Sequence, residues 1–311
     1  MPSSIHSLVV RLVLVVNPFA SSVTARTRVV IQKALSADHD LTVVETSRRG
    51  HATRFAQDAA QRGVDVVVAL GGDGTINEVA NGLARTSCAL APLPGGSTNV
   101  FARSIGLPND PVEATALLVD SLDRSSIRRV GLGSVNSRYF LFHTGVGFDA
   151  AVVRSVERRS DIKRYAGHPL FVYSAVRTWL SGYDRRHPQF VAHLDGRAIA
   201  GGLAIVLNTN PYTYLGNRAI ELAPEATLDR PLVLVLFREL RADVLIRALI
   251  TALRGGALST TKSIDKIVDL SAFTIEAVGD GVPFQVDGDH LGDAHRLSFR
   301  HEPGVLDLVL P

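Results

Sequence analysis

Residues 64–78 read Val64-Asp65-Val66-Val67-Val68-Ala69-Leu70-Gly71-Gly72-Asp73-Gly74-Thr75-Ile76-Asn77-Glu78. The run 64–70 is apolar and largely β-branched apart from Asp65. It shows no alternation, which is the pattern of a strand buried on both faces. A glycine-rich turn follows, then a helix expected at 77–84. Three glycines permit positive φ angles and a close approach of backbone to a bulky ligand. A helix start offers N–H groups and a positive dipole end to an anion, and Asp73 is a candidate magnesium ligand that bridges to phosphate oxygens. The glycine spacing matches neither G-x-x-x-x-G-K-[ST] nor G-x-G-x-x-G.

The surrounding sequence extends the same pattern. Strands are expected at 12–16 and 41–45, with helices at 24–37 and 52–62, so strand and helix alternate as in an open parallel sheet with helices on both faces. A second turn, Leu93-Pro94-Gly95-Gly96-Ser97-Thr98-Asn99, ends the apolar run 89–93 and opens toward a helix at 100–104. Alone it reads as a capped helix start with Ser97 or Thr98 as the cap. Paired with the first turn it reads as the second lip of a nucleotide site at the carboxyl edge of the sheet.

From about Gly131 short apolar runs at 139–142, 189–194, 201–207, 232–237, 273–277 and 284–286 are separated by Gly, Pro, Asn and Asp turns, with helices at 169–181 and 242–255. That is antiparallel β structure. The expected organisation is an α/β nucleotide-binding domain over 1–130 and a β-rich acceptor domain over 131–302, with a cleft between them. Asp287-Gly288-Asp289 offers two carboxylates two residues apart, suited to general-base work or to a plain hairpin turn.

Composition narrows the classes. The 311 residues carry 33 basic and 30 acidic side chains, a formal charge of +3, which leans mildly toward anionic ligands and gives no basis for nucleic-acid binding. One cysteine, Cys88, has no intramolecular partner, and a reducing cytoplasm is the expected compartment. No apolar run reaches the roughly 20 residues of a membrane span. The ten histidines show no H-E-x-x-H or Cys-partnered spacing.

The two glycine turns, in this order, resemble the catalytic domain of diacylglycerol kinases, sphingosine kinases and their bacterial lipid-kinase relatives. Further elements carry the likeness: Asn17-Pro18 after the first strand, Thr46 with Gly50-His51-Ala52, and Phe142 to Asp149 as F-x-N-x-x-G-x-G-F-D with His143 at the Asn position. Leu222-Ala223-Pro224-Glu225-Ala226 with Leu228-Asp229 follows, and then Asp287-Gly288-Asp289. The resemblance implies the fold shared with NAD kinases: an α/β domain with a parallel sheet, followed by an antiparallel β-sandwich, and a last strand within 303–311 returning to the first domain. It implies ATP on Asn17, Pro18, Thr46, Gly71, Gly72, Asp73, Gly74, Thr75, Asn77, Gly96, Ser97, Thr98 and Asn99, with Mg²⁺ held by Asp73 and a structural magnesium near Asp229. Asp287 and Asp289 are the implied catalytic carboxylates.

The partners implied are a lipid alcohol, transient contact with the inner membrane face, and a second copy of the chain in a homodimer. The basic stretch Arg154, Arg158, Arg159, Lys163 and Arg164, before a helix carrying Trp179, is expected as the solvated flank of a core-packed helix, with contact to an anionic membrane interface as its second reading. A non-lipid acceptor hydroxyl is the alternative, because the G-G-D-G turn is shared with NAD kinases. A binding module without turnover is a third reading.

Overall fold

The structure is a computed structural model that describes residues 9–157, 177 and 187–311. The basic stretch at 154–164, apart from Arg154, and the helix expected at 169–181 lie outside the described residues. Two compact units emerge: residues 1–130 with 304–311, and residues 131–303.

The first unit is a parallel sheet. Strands β1 (Arg11–Val16), β2 (Asp40–Glu45), β3 (Val66–Gly71) and β4 (Ala89–Pro94) run in the order β2-β1-β3-β4, every neighbouring pair parallel. All six residues of β3 and of β4 are buried, as their unbroken apolar sequences require. β2 lies at the sheet edge and is largely exposed, so burial on both faces holds only for the inner strands. Helices α1 (Ala25–Leu35) and α5 (Pro111–Asp123) pack against each other, and so do α2 (His51–Gln61) and α3 (Asp73–Leu83). α5 was not expected from the sequence, although Asp110 accepts from the amides of Val112 and Glu113 and Pro111 occupies its first turn. The last residues of the chain add a strand beside β4, with Leu308 opposite Leu90.

α3 starts at Asp73, four residues earlier than the sequence suggested. Gly74 and Thr75 therefore belong to its first turn. The chain moves from β1 to β2 in one direction and from β3 to β4 in the other, so the strand order reverses between β1 and β3. In open α/β sheets the carboxyl-end crevice at such a reversal is where ligands bind.

The second unit is an antiparallel sandwich. One sheet is ordered β14 (Ile264–Leu270), β13 (Leu232–Phe237), β10 (Leu203–Leu207), β7 (His143–Gly147), β16 (Val282–Val286), β17 (Asp289–Ala294). The facing strands include β15 (Ala272–Ala277), β8 (Phe190–Leu194), β9 (Arg197–Gly201), and the hairpin of β5 (Ile127–Val135) with β6 (Arg138–Phe140). Phe140, Phe190, Phe273, Phe299 and Val146 fill the space between the sheets. The outer face of the six-stranded sheet is covered by α6 (Phe148–Glu157) and α7 (Ala242–Leu253), with Leu207, Val235, Phe237 and Val244 in that second core. A short hairpin of β11 (Thr213–Leu215) and β12 (Arg218–Ile220) packs against α7.

Candidate functional site

In the first unit the turns after all four strands meet at the carboxyl edge. Asn17, ending β1, donates from Nδ2 to Thr75 Oγ1 at 3.0 Å, and its amide donates to Leu70 O at 2.9 Å. These bonds tie the β1 turn to the β3 turn across the strand-order reversal. Pro18 lies in the turn closed by Ala20 N donating to Asn17 O. Thr46, buried after β2, donates its amide to Val16 O.

The glycines serve this packing directly. A Cβ on Gly95 would sit 2.8 Å from Gly71 Cα, and one on Gly96 would sit 2.8 Å from Gly72 Cα. A Cβ on Gly71 would meet Thr75 at 2.7 Å. The two turns therefore touch backbone to backbone, and a side chain on Gly95 or Gly96 would drive them apart. None of Gly71, Gly72 and Gly74 adopts the left-handed conformation expected of this turn; Gly72 is extended, with φ −80°. Close approach, not turn geometry, requires glycine at 71, 95 and 96, while a Cβ on Gly72 would make an ordinary contact 3.5 Å from Gly96 Cα.

Asp73 has a bracing task that the sequence did not mark. Oδ2 accepts from Val100 N and Oδ1 from Phe101 N, both at 3.0 Å, so Asp73 caps the start of α4 (Val100–Ser104) from the neighbouring turn. Ser97 and Thr98 are not the cap. Asn99 occupies that position in a left-handed conformation, φ 51°, accepting from Gly96 N and donating to Gly96 O and Asn109 Oδ1. With both oxygens on amides, Asp73 is built to lock the two turns together. Ser97 is exposed and Thr98 half-buried at the rim. Asn77 does not reach the rim: it is 1% exposed and accepts from Asn81 Nδ2, so it belongs to the interior of α3.

The two helix starts now differ. That of α4 is closed by Asp73, while α3 follows Gly72, which supplies no side-chain cap. Glu78 fixes the remaining turn, accepting from Gly50 N at 2.9 Å and Ala52 N at 3.1 Å. The sequence gives no local signal for this contact, because its partners lie 26 and 28 residues away.

In the second unit Asp287 and Gly288 form a two-residue hairpin between β16 and β17, both at positive φ, 48° and 83°. Asp287 is buried, and its carboxylate accepts from the amides of Leu141 (2.7 Å), Phe142 (3.0 Å) and His143 (3.1 Å). With so many of its lone pairs engaged it is a poor candidate for taking a proton, and its expected role as base gives way to one of positioning. Asp289 is half-buried at the start of β17. The expected structural magnesium near Asp229 is not supported either. Asp229 is exposed, the adjacent Arg230 forks onto Asp269, and no group of three or more His, Cys, Asp or Glu side chains comes together among the described residues.

A buried polar cluster lies on the outer face of β7. Asp149 accepts from Tyr212 Oη at 2.5 Å and Gln285 Nε2 at 2.9 Å, and burial raises its pKa above the usual carboxylate range. A Cβ on Gly145 would lie 1.7 Å from Asp149 Oδ2, which makes Gly145 obligatory. His143 is buried against Phe142 and Tyr212, ring centroids 4.9 and 4.5 Å away, and burial pushes its pKa down to about 3. Tyr212 and Gln285 were not singled out by the sequence, since nothing local marks them as partners of Asp149.

The model of the diacylglycerol kinase catalytic domain matches residues 11–135. The chain is 31% identical over 229 residues to diacylglycerol kinase of Bacillus subtilis (strain 168), covering 73% of this chain and 72% of that protein. It is 30% identical over 289 residues to a protein of Pseudomonas aeruginosa (strain UCBPP-PA14) named as a YegS-like lipid kinase, covering 91% and 89%. Among solved structures, a diacylglycerol kinase from Bacillus anthracis superposes with a TM-score of 0.70 at 20% identity over 97% of each chain. Yeast NADH kinase superposes at 0.53 and 13% identity, over 98% of this chain and 84% of that one. The structural likenesses carry the fold, and the sequence likenesses carry the kinship: the chain belongs to the diacylglycerol kinase catalytic-domain family.

Proposed function

We propose that this kinase moves the γ-phosphoryl group of ATP onto the hydroxyl of diacylglycerol or a similar lipid alcohol. The observation that carries the reading is the uncapped start of α3 at the β1/β3 strand-order reversal, beside an α4 start that Asp73 has already closed. A helix start without a side-chain cap offers its positive dipole end to phosphate. Names of relatives support a lipid acceptor.

ATP, when bound, supplies the phosphoryl group; any magnesium arrives on its phosphates. The chain's residues position and exclude. Asn17 and Thr75 hold the β1 and β3 turns in register, Gly71, Gly95 and Gly96 keep the two lips in contact, and Asp73 fixes α4. Asp289 takes the proton from the acceptor hydroxyl. Asp287 holds the hairpin that presents it, through its bonds to the 141–143 backbone.

The test is transfer from γ-labelled ATP to a panel of lipid alcohols, with product partitioned into organic solvent. Asp289→Asn is expected to cut turnover by about a hundredfold or more while ATP affinity is kept. Full turnover in that variant removes the base assignment. Labelled product that stays in the aqueous phase overturns the lipid acceptor and favours a water-soluble hydroxyl.

A further inference from the structure

We infer that the outward face of α7 docks on the surface of an anionic phospholipid bilayer. The inference rests on the lipid-acceptor reading for its purpose, but its geometry stands apart from the kinase site.

α7 has two apolar faces. The inward one, Val244, Ala248 and Ala252, repeats every four residues and packs on the six-stranded sheet. The outward one is Ile246, Leu249 and Ile250, spaced i, i+3, i+4 and 55%, 51% and 43% exposed. Single exposed apolar residues are ordinary on any surface. Three large aliphatic side chains within about one helical turn form a patch with a direction. Leu215, 43% exposed, lies on the hairpin whose other strand, β12, packs against α7.

Charge around the patch selects the partner. Residues 241–254 hold Arg241, Arg247 and Arg254 against the single acid Asp243, which pairs with the first two. Arg218 stands exposed on the hairpin. An amphipathic helix with aliphatic residues outward and arginines at its flanks seats its apolar side chains among acyl chains while the guanidinium groups meet lipid phosphates. A second copy of this chain suits the face poorly, because two-fold pairing would oppose the same arginines. Three side chains also fall short of the about 800 Å² per partner of a stable interface. Among the described residues no helix is long and apolar enough to cross a membrane, so a surface contact is what this helix can supply.

The test is co-sedimentation of the full-length protein, without ATP, with phosphatidylcholine vesicles that contain or lack phosphatidylglycerol. Binding is expected only with phosphatidylglycerol and should weaken as salt rises. The triple variant Ile246→Ser, Leu249→Ser, Ile250→Ser should lose at least about tenfold in vesicle partitioning, and Arg247→Gln with Arg254→Gln about fivefold per charge. Both variants change exposed positions, and far-UV circular dichroism checks that they fold. The triple variant should retain phosphorylation of a dispersed short-chain diacylglycerol while losing that of vesicle-embedded substrate.

Vesicle binding by the triple variant equal to the parent's overturns the inference, and so does a change from dimer to monomer in the centrifuge with vesicle binding unaltered. If the parent binds vesicles through this face but phosphorylates no lipid, the docking surface stands and the lipid-kinase reading falls.

Discussion

His143 makes the stability of the second unit fall as pH drops, by an amount the structure fixes. Its imidazole is buried with a pKa of about 3, whereas a histidine in an unfolded chain titrates near 6.5. The folded pKa is depressed, so the native state binds fewer protons than the unfolded state. The contribution is fully present above 6.5 and is lost as pH falls toward 3. Between pH 7 and 5 the unfolded imidazole takes up its proton while the native one does not, which costs about 1.9 kcal/mol. The figure hardly depends on the native value, because any pKa below about 4 leaves His143 neutral at pH 5.

His143→Asn removes the titration and keeps a polar side chain. Urea unfolding at the two pH values should show the parent losing about 2 kcal/mol more than the variant, roughly 1 M in midpoint for a slope of about 2 kcal/mol/M. Asp149, whose pKa burial raises, contributes with the opposite sign. It is present in both proteins and cancels in the comparison. Equal pH dependence in the two proteins refutes the reasoning, as does a His143 imidazole resonance that titrates near 6.5.

Two further substitutions probe the sites. Asp73→Ala leaves the amides of Val100 and Phe101 without their charged acceptor and should cost about 2–4 kcal/mol, with Asp73→Asn intermediate. Thermal unfolding of both variants measures it, and unchanged stability in the alanine variant would show that the brace carries nothing. Gly145→Ala forces a methyl into the Asp149 carboxylate and should destabilise the second unit by more than about 3 kcal/mol, read as a lowered urea midpoint. A variant as stable as the parent would mean that β7 and α6 shift freely there.

The sequence by itself determined the parallel sheet and its ligand edge. An unbroken apolar strand such as 66–71 has to be covered on both faces, and strand–helix alternation then brings every turn that follows a strand to one edge. It also marked the glycine turns and the Asp287-Gly288-Asp289 hairpin, because glycine and the two-residue turn leave local signatures. What it left open is what each polar group does there. Asp73 follows the glycines and reads as a phosphate-site acid, yet its partners are amides 27 and 28 residues away. Asp287 reads as half of a catalytic pair, yet it is committed to amides 144–146 residues distant. The outward stripe of α7 carries no local mark of its direction, which follows only from Val244, Ala248 and Ala252 filling the inward face. A carboxylate accepts whichever donors packing brings within about 3 Å. Residue type and local spacing therefore locate the turns, and only tertiary contacts decide which acids brace them.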